Sequence, residues 1–492
     1  NNIYETEGPR RLHPRPQKQP TTEEEEEEPL TTAEMNSRKS VIIRRIIAVS
    51  ASFIFLIAAM QGLAVLQSSL NQEIGVWGLC ANFAAVVISC LFFSTYLVQR
   101  LGCKWAMVLG MACMTTWMLA NLYPSWGTII PGSIIMGAGW APLWTAQCTL
   151  FTISGVELAK LTKQMPDQII ARGFGFFFMA FMTGPIWGNL ISSSILGQAD
   201  APSPPVNSSI IQHILICGAG FCPQVLKSLN STAIQKPPQK LISILVGVYL
   251  GLASIAILII VIFIPNIKAG DDPKNPNLKN TNGKAKFSLN LCAQTLKQLT
   301  NKLQLCMVPL NLYIGMEEGF MMVEYTMAFV TCSMGVSLIG YVVISYALTA
   351  AIISFTSGHM IRLIGRPPVF IFAFLSHIGC NIAWMFWQPD TGGTWIFFLF
   401  AAVWGIGDAI MQTQTNAFYG VLFSGSSEAA FSNYRMWEAF GIIFSLSYSS
   451  YLCISVKLYI MMSMLVIGMV GYFATEIIHR RQVKRDEEDA TD

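Results

Sequence analysis

The chain has 492 residues, 53% of them hydrophobic and only 12% charged, against about 25% charged in ordinary globular proteins. A soluble fold of this size cannot hide so much apolar surface, and a net charge of +3 is too small to argue for nucleic acid. Several runs of about 20 apolar residues are each long enough to cross a hydrocarbon core of about 30 Å. They lack the alternation of a β-barrel, and lipid leaves every backbone polar group to be paired internally, so they are helices.

In chain order, residues 1–40 are rich in Pro and charge and include the run Glu23–Glu28. Such a stretch cannot bury enough apolar surface to fold, which predicts a disordered acidic cytoplasmic tail. No signal peptide precedes the first span, which is expected to act as an uncleaved anchor. Predicted spans follow at 41–66, 75–98, 103–123, 127–153, 170–195 and 241–265, a first six-helix lobe over 41–265. A cytoplasmic linker, 266–304, carries a Lys-rich amphipathic stretch (287–303) suited to a membrane surface. A second lobe over 305–478 holds spans at 305–331, 335–357, 367–388, 394–418, 436–454 and 457–477, followed by a cytoplasmic tail, 479–492. With the N-terminus inside, all the Lys and Arg except Lys227, Lys236, Lys240 and Lys457 fall on the cytoplasmic side, the orientation that basic loops select.

The long exterior loop, 197–240, contains two acceptor sequences for N-glycosylation, at Asn207 and Asn230. It also contains Cys217 and Cys222, which an oxidising exterior would let pair with each other. The alternative is two free thiols. Most other cysteines lie in spans, where they act as small apolar residues.

The two halves repeat. Arg100-Leu101-Gly102-Cys103-Lys104, between spans 2 and 3, corresponds to the turn around Arg362, Gly365 and Arg366 between spans 8 and 9. Gly137 and Gly139 of span 4 correspond to Gly405 and Gly407 of span 10, Gln61 and Gln67 to Glu318 and Glu324, and Arg172 to Arg435. Four matches in order at a nearly constant offset are hard to obtain by chance. Six spans plus six, as parallel repeats, describe an all-α polytopic fold of major-facilitator type. The basic turns are a degraded form of that superfamily's signature, with Gln99 and Arg362 at the acidic position.

Ionisable groups inside a membrane are expensive and are the first functional candidates. The spans of the first half hold no Asp or Glu in their cores, whereas the second half has Glu317, Glu318 and Glu324 in span 7 and Asp408 in span 10. Glu317 and Glu324, seven apart, share one α-helical face. They read as a cation-binding or proton-binding site, or else as groups hydrogen-bonded across helices or near the exterior mouth. Neither has an obvious basic partner in the spans, and Glu317 or Glu318 is expected to lie deeper than Glu324. Arg435 and Glu438, three apart in span 11, suit an intrahelical ion pair or a gating contact with the other lobe; Asp408 is placed to reach a basic loop residue. Gly137, Gly139, Gly405 and Gly407 permit close helix contact, and Trp77, Trp126 and Trp395 suit interface anchors. No P-loop, metal-ligand spacing, nucleophile elbow or potassium-filter sequence is present, so no enzyme activity, metal or cofactor is expected.

Several blocks resemble the Unc-93 (uncoordinated) family, and its homologue A-like branch in particular: Gln67-Ser68-Ser69-Leu70-Asn71, Ala141-Pro142-Leu143-Trp144-Thr145-Ala146-Gln147, Trp187-Gly188-Asn189-Leu190, Tyr419-Gly420-Val421-Leu422-Phe423, and above all Glu428-Ala429-Ala430-Phe431-Ser432-Asn433-Tyr434-Arg435-Met436-Trp437-Glu438-Ala439. The likeness runs from about residue 45 to 478. It implies a major-facilitator-like fold and a role as auxiliary regulator of two-pore-domain potassium channels at the plasma membrane, contributing to potassium ion homeostasis. A sister branch implies a receptor-trafficking chaperone with endosomal or endoplasmic reticulum residence. The fold by itself implies a proton- or sodium-coupled transporter of a small solute.

Overall fold

The computed structural model describes residues 31–70, 72–196, 217–223, 239–267, 295–334, 338–389, 393–449 and 451–489. Among these there is no strand. The helices are α1 (Thr32–Leu70), α2 (Gln72–Ser89), α3 (Thr95–Ala120), α4 (Trp126–Thr162), α5 (Pro166–Leu196), α6 (Gln239–Phe263), α7 (Lys302–Gly319), α8 (Ile339–Ile364), α9 (Arg366–Phe386), α10 (Thr394–Leu422), α11 (Ser427–Ser449) and α12 (Ile454–Asp489). A π-helical stretch, Cys90–Ser94, joins α2 to α3, and another, Phe320–Thr331, continues α7. Each expected span has its helix. The helix of the first begins at Thr32, inside the stretch expected to be disordered, and that of the last runs on to Asp489. The Glu23–Glu28 run, Asn207, Asn230 and most of the linker lie outside the described residues.

Local chemistry sets the helix ends. Ser125 caps α4 in a reciprocal arrangement with Thr128, and the Asn301 side chain accepts from the Leu303 amide at the start of α7. Pro166 opens α5 and Pro367 sits in the first turn of α9, where a missing amide hydrogen costs nothing. By length and apolar composition, α1, α2 with α3, α5, α6, α8, α9, α10 and α12 are able to cross a membrane. Helices α4 and α11 line the contact between lobes, where Thr145, Gln147, Ser432 and Asn433 are all buried.

Helices α1–α6 pack as one lobe and α7–α12 as the other. The repeat read in the sequence is visible in the backbone: Gly102 has φ 80° and ψ 165°, Gly365 φ 82° and ψ 170°. That region is open essentially only to glycine and costs other residues about 1–3 kcal/mol. Gly137 packs on the Asn82 carbonyl, Gly139 on Cys113, Gly405 on the Tyr346 carbonyl and Gly407 on the His377 ring, so a side chain at any of the four would collide. Trp77, Trp126 and Trp395 are exposed, as interface anchors must be.

The lobes meet along α5 with α8 and α10, and along α2 and α4 with α11. These contacts reach the basic end of the bundle, the end that carries the α2–α3 and α8–α9 turns. There Gly358 packs on the Arg172 backbone and Gly175 on the Ser354 carbonyl. The wider π turn at Cys90 offers its carbonyl to the Ser432 hydroxyl of α11, 2.8 Å being typical and 2.7 Å observed. The last part of the linker is wedged between the lobes: the Thr295 hydroxyl lies 2.8 Å from that of Thr95, and Asn433 Nδ2 donates to the Thr295 carbonyl at 2.9 Å.

At the opposite end, residues 217–223 of the 197–240 loop rest on the second lobe. The Ile454 amide donates to the Phe221 carbonyl at 3.0 Å, and Gly218 packs on Pro389. Here the expected Cys217–Cys222 pairing is corrected. Cys217 is bonded to Cys332, just past the α7 π stretch, and Cys222 to Cys453, just before α12. Sequence spacing offers each loop thiol only its neighbour, because folding alone brings positions 115 and 231 residues away beside them.

Both disulfides join a loop of the first lobe to the second. A protease site inserted within residues 268–294 should therefore yield halves that migrate together on a non-reducing gel and separate after reduction. Replacing Cys217 and Cys222 by Ser should separate them without reductant; separation of the cut wild-type halves before reduction would refute the cross-lobe bonds.

Candidate functional site

The buried charge of the protein is concentrated on α7, α10 and α11, facing α4 of the other lobe. Arg435 is its hub. Its Nη1 donates to Glu438 Oε2 at 2.6 Å, and its Nη2 donates to Asn416 Oδ1 at 3.1 Å. The guanidinium plane lies 4.1 Å from the centroid of Trp144 on α4 and 4.8 Å from that of Tyr434, distances at which a ring quadrupole attracts a cation. Both readings of Arg435 and Glu438 therefore meet in one residue: an ion pair one turn long along α11, and a contact that crosses between lobes.

From this hub a hydrogen-bonded chain runs to span 7. Gln412 Nε2 donates to Glu318 Oε1 at 2.7 Å and to Glu438 Oε1 at 3.3 Å, while Tyr434 donates its hydroxyl to Gln412 Oε1 at 3.2 Å. Glu318 is half-buried. Asp408 does not reach a basic loop residue; it accepts from the Tyr346 hydroxyl of α8 at 2.6 Å, since its helix turns it toward α8 well inside the bundle.

The acidic stripe expected along span 7 is split. Glu317 and Glu324 are both 1% exposed and so equally buried within the bundle. They nevertheless face different helices, because the π stretch from Phe320 onward has more residues per turn and breaks the α-helical register between them. Glu317 Oε2 lies 3.0 Å from Nδ1 of His377 on α9. Glu324 Oε2 lies 2.6 Å from Nζ of Lys457 on α12, which also donates to the Ser449 carbonyl at 2.9 Å. Lys457, at the start of α12 close to the Cys222–Cys453 bond, is wholly buried.

A third cluster, at the basic end, had no counterpart in the sequence reading. Arg366 donates to Asp167 Oδ2 of the first lobe at 3.1 Å and to Glu476 Oε2 of α12 at 3.4 Å, with its guanidinium 4.2 Å from the Phe418 ring centroid. Arg366 was visible as part of the second basic turn, and its partners lie on helices far away in the chain. Among the described residues, no group of three or more His, Cys, Asp or Glu is placed to hold a metal ion.

Among the buried or half-buried acids in lobe two, Glu438, Glu324 and Glu476 face the permanent cations Arg435, Lys457 and Arg366. Glu317, Glu318 and Asp408 face an imidazole, an amide and a phenol. Carboxylates set against such partners are the groups that a proton or a cation could meet.

The comparisons agree with the geometry. In solved structures, the fold matches the major facilitator transporter FucP in the outward conformation, with TM-score 0.60 at 12% identity over 88% of this chain and 99% of that one. It also matches the human organic anion transporter MFSD10 (TETRAN), with TM-score 0.59 at 13% identity over 88% and 99%. The protein is thus a polytopic membrane protein of major-facilitator fold. Residues 67–473 match the family described as "Ion channel regulatory protein UNC-93". The chain is 40% identical to the protein unc-93 homolog A of Xenopus laevis, over 90% of this chain and 95% of that one, and 37% identical to the human homolog A, over 89% and 94%. It is 32% identical to the Caenorhabditis elegans protein named "Putative potassium channel regulatory protein unc-93", over 90% of this chain and 62% of that one. The chain belongs to the UNC-93 family.

Removing one partner of a buried pair strands a charge, at a cost of about 3–5 kcal/mol. Lys457→Met should therefore lower the thermal midpoint of the purified protein markedly, and the double variant Lys457→Met with Glu324→Leu should recover most of the loss. Full stability in the single variant would show that the two side chains do not interact.

Proposed function

We propose that this protein is a non-enzymatic regulatory subunit of potassium channels in the plasma membrane, contributing to potassium ion homeostasis. The observation that carries this reading is the family match across nearly the whole membrane region, together with the potassium channel role in the name of the worm relative. In this reading the basic end and both termini face the cytoplasm, and the loop with Asn207, Asn230 and the disulfides faces outside, consistent with the distribution of Lys and Arg. The partner is a two-pore-domain channel subunit, met laterally through the apolar residues that the bundle leaves exposed, such as Leu258, Ile262 and Phe263 of α6. The glutamine and arginine at the acidic positions of the gating signature suit a chain in which alternating access has been modified.

Co-expression with each two-pore-domain channel should change the current or the surface abundance of at least one. An unchanged current and abundance across the set would end this reading.

A second reading has its own support in Glu317, Glu318 and Asp408, carboxylates that meet an imidazole, an amide and a phenol: a transporter coupling a small solute to protons or sodium. Purified protein in liposomes would then take up solute, and Glu318→Gln, which keeps the shape but not the charge, would abolish uptake at least tenfold. Unchanged uptake in that variant would dismiss Glu318 as the coupling site.

A further inference from the structure

His377 sits at the centre of lobe two with no exposed surface. Its Nε2 lies 3.1 Å from the Trp404 carbonyl oxygen. A carbonyl only accepts, so Nε2 carries the hydrogen, and in a neutral imidazole Nδ1 is then a bare lone pair. That nitrogen faces two groups: the Tyr313 hydroxyl at 2.8 Å and Glu317 Oε2 at 3.0 Å. The phenol can donate to it. A carboxylate cannot, and an ionised oxygen 3.0 Å from a bare lone pair would be two acceptors pressed together away from water. Glu317 Oε1 has no hydrogen-bond partner at all, on a side chain 1% exposed.

We infer that Glu317 and His377 form a proton-binding site that holds one proton between Glu317 Oε2 and His377 Nδ1. The proton resides either on the carboxyl, beside a neutral imidazole, or on Nδ1, as an imidazolium–carboxylate pair; both forms satisfy the contact and no proton-free form does. The surroundings favour this ligand. Among the groups around Glu317, Glu318 on α7, Asp408 on α10 and Glu438 on α11 are carboxyls, and the Arg435 guanidinium is committed to Glu438 and Asn416. The site is also built rather than incidental. The imidazole is stacked on Trp404 with centroids 4.1 Å apart and planes 12° apart, and it occupies the space that any side chain at position 407 would fill. With no cluster of metal-ligating groups among the described residues, the cation it suits is a proton. Because the contact joins α7 to α9, the proton holds together two helices of the lobe that carries all the buried acids. The inference rests on neither functional reading above: it concerns the protonation of a resting structure.

Full-length protein in lipid nanodiscs, labelled with nitrogen-15 in histidine, tests it by two spectroscopies on one sample. Infrared spectra report the carboxylic-acid C=O stretch, and magnetic resonance of the ring nitrogens, assigned through His377→Gln, reports the charge of His377. The expected result is either an acid band lost in Glu317→Gln or an imidazolium signal for His377 that becomes neutral in Glu317→Gln. Tyr313→Phe should leave whichever signal is found, since the phenol is not the proton's holder. Should Glu317→Gln fail to fold, Glu317→Asp, which keeps the carboxyl but withdraws it from the imidazole, should shift the same signal. A neutral His377 in the wild type, with no acid band that responds to either Glu317 substitution, would overturn the proposal.

Discussion

Charge buried away from water must be compensated, and the second lobe is organised by that requirement. A carboxylate or ammonium moved to a low-dielectric interior loses several kcal/mol of solvation even after relaxation. Buried or half-buried acids of this lobe have therefore drawn specific partners, within α11 for Glu438 and Arg435 and from other helices for the rest: Glu324 has Lys457, Glu476 has Arg366, Glu318 has Gln412, Asp408 has Tyr346 and Glu317 has His377. Because these partners stand on α8, α9, α10, α11 and α12, the pairings bind the lobe into one unit around span 7.

The same requirement explains the asymmetry between lobes. The repeat supplies equivalent backbones, down to the two glycines at φ 80° and 82°. Lobe one, with Gln61 where lobe two has Glu318, lacks those carboxylates, and Phe53 packs there against Trp144 and Phe177. Trp144 then serves both lobes, since the face it presents to α11 receives Arg435. At the centre the Arg435 guanidinium on Trp144 is one of the contacts between the lobes, beside that of Ser432 with the Cys90 carbonyl. The Arg366–Asp167 bridge marks the basic end, and disulfides to the loop mark the other.

That two-ended attachment constrains what lobe two can do. Its span 7 is clamped near the loop end by the Cys217–Cys332 bond, near which lies the Glu324–Lys457 pair, and is tied further along by Glu317 to α9. The intervening π stretch is the irregular segment between two fixed points. Irregular helical geometry of this kind is common at functional sites, and here it separates Glu324, paired with Lys457, from Glu317, which meets the His377 imidazole.

The sequence by itself determined the membrane class, the helical spans and the repeat, because these depend on local quantities: apolar run length, basic residues in short connections, and glycines at corresponding turns. It also singled out the residues that matter most, since a carboxylate in an apolar run is conspicuous wherever the chain takes it. Which groups those carboxylates meet was decided by tertiary structure alone. Nothing near Glu317 in the chain points to His377, and nothing near Cys217 points to Cys332. The π-helical register in span 7, which turned one supposed stripe into two separate sites, arises from how that segment packs among α9, α10 and α12. Pairings between helices depend on their relative rotation and depth, and those are fixed only when the whole bundle has closed around them.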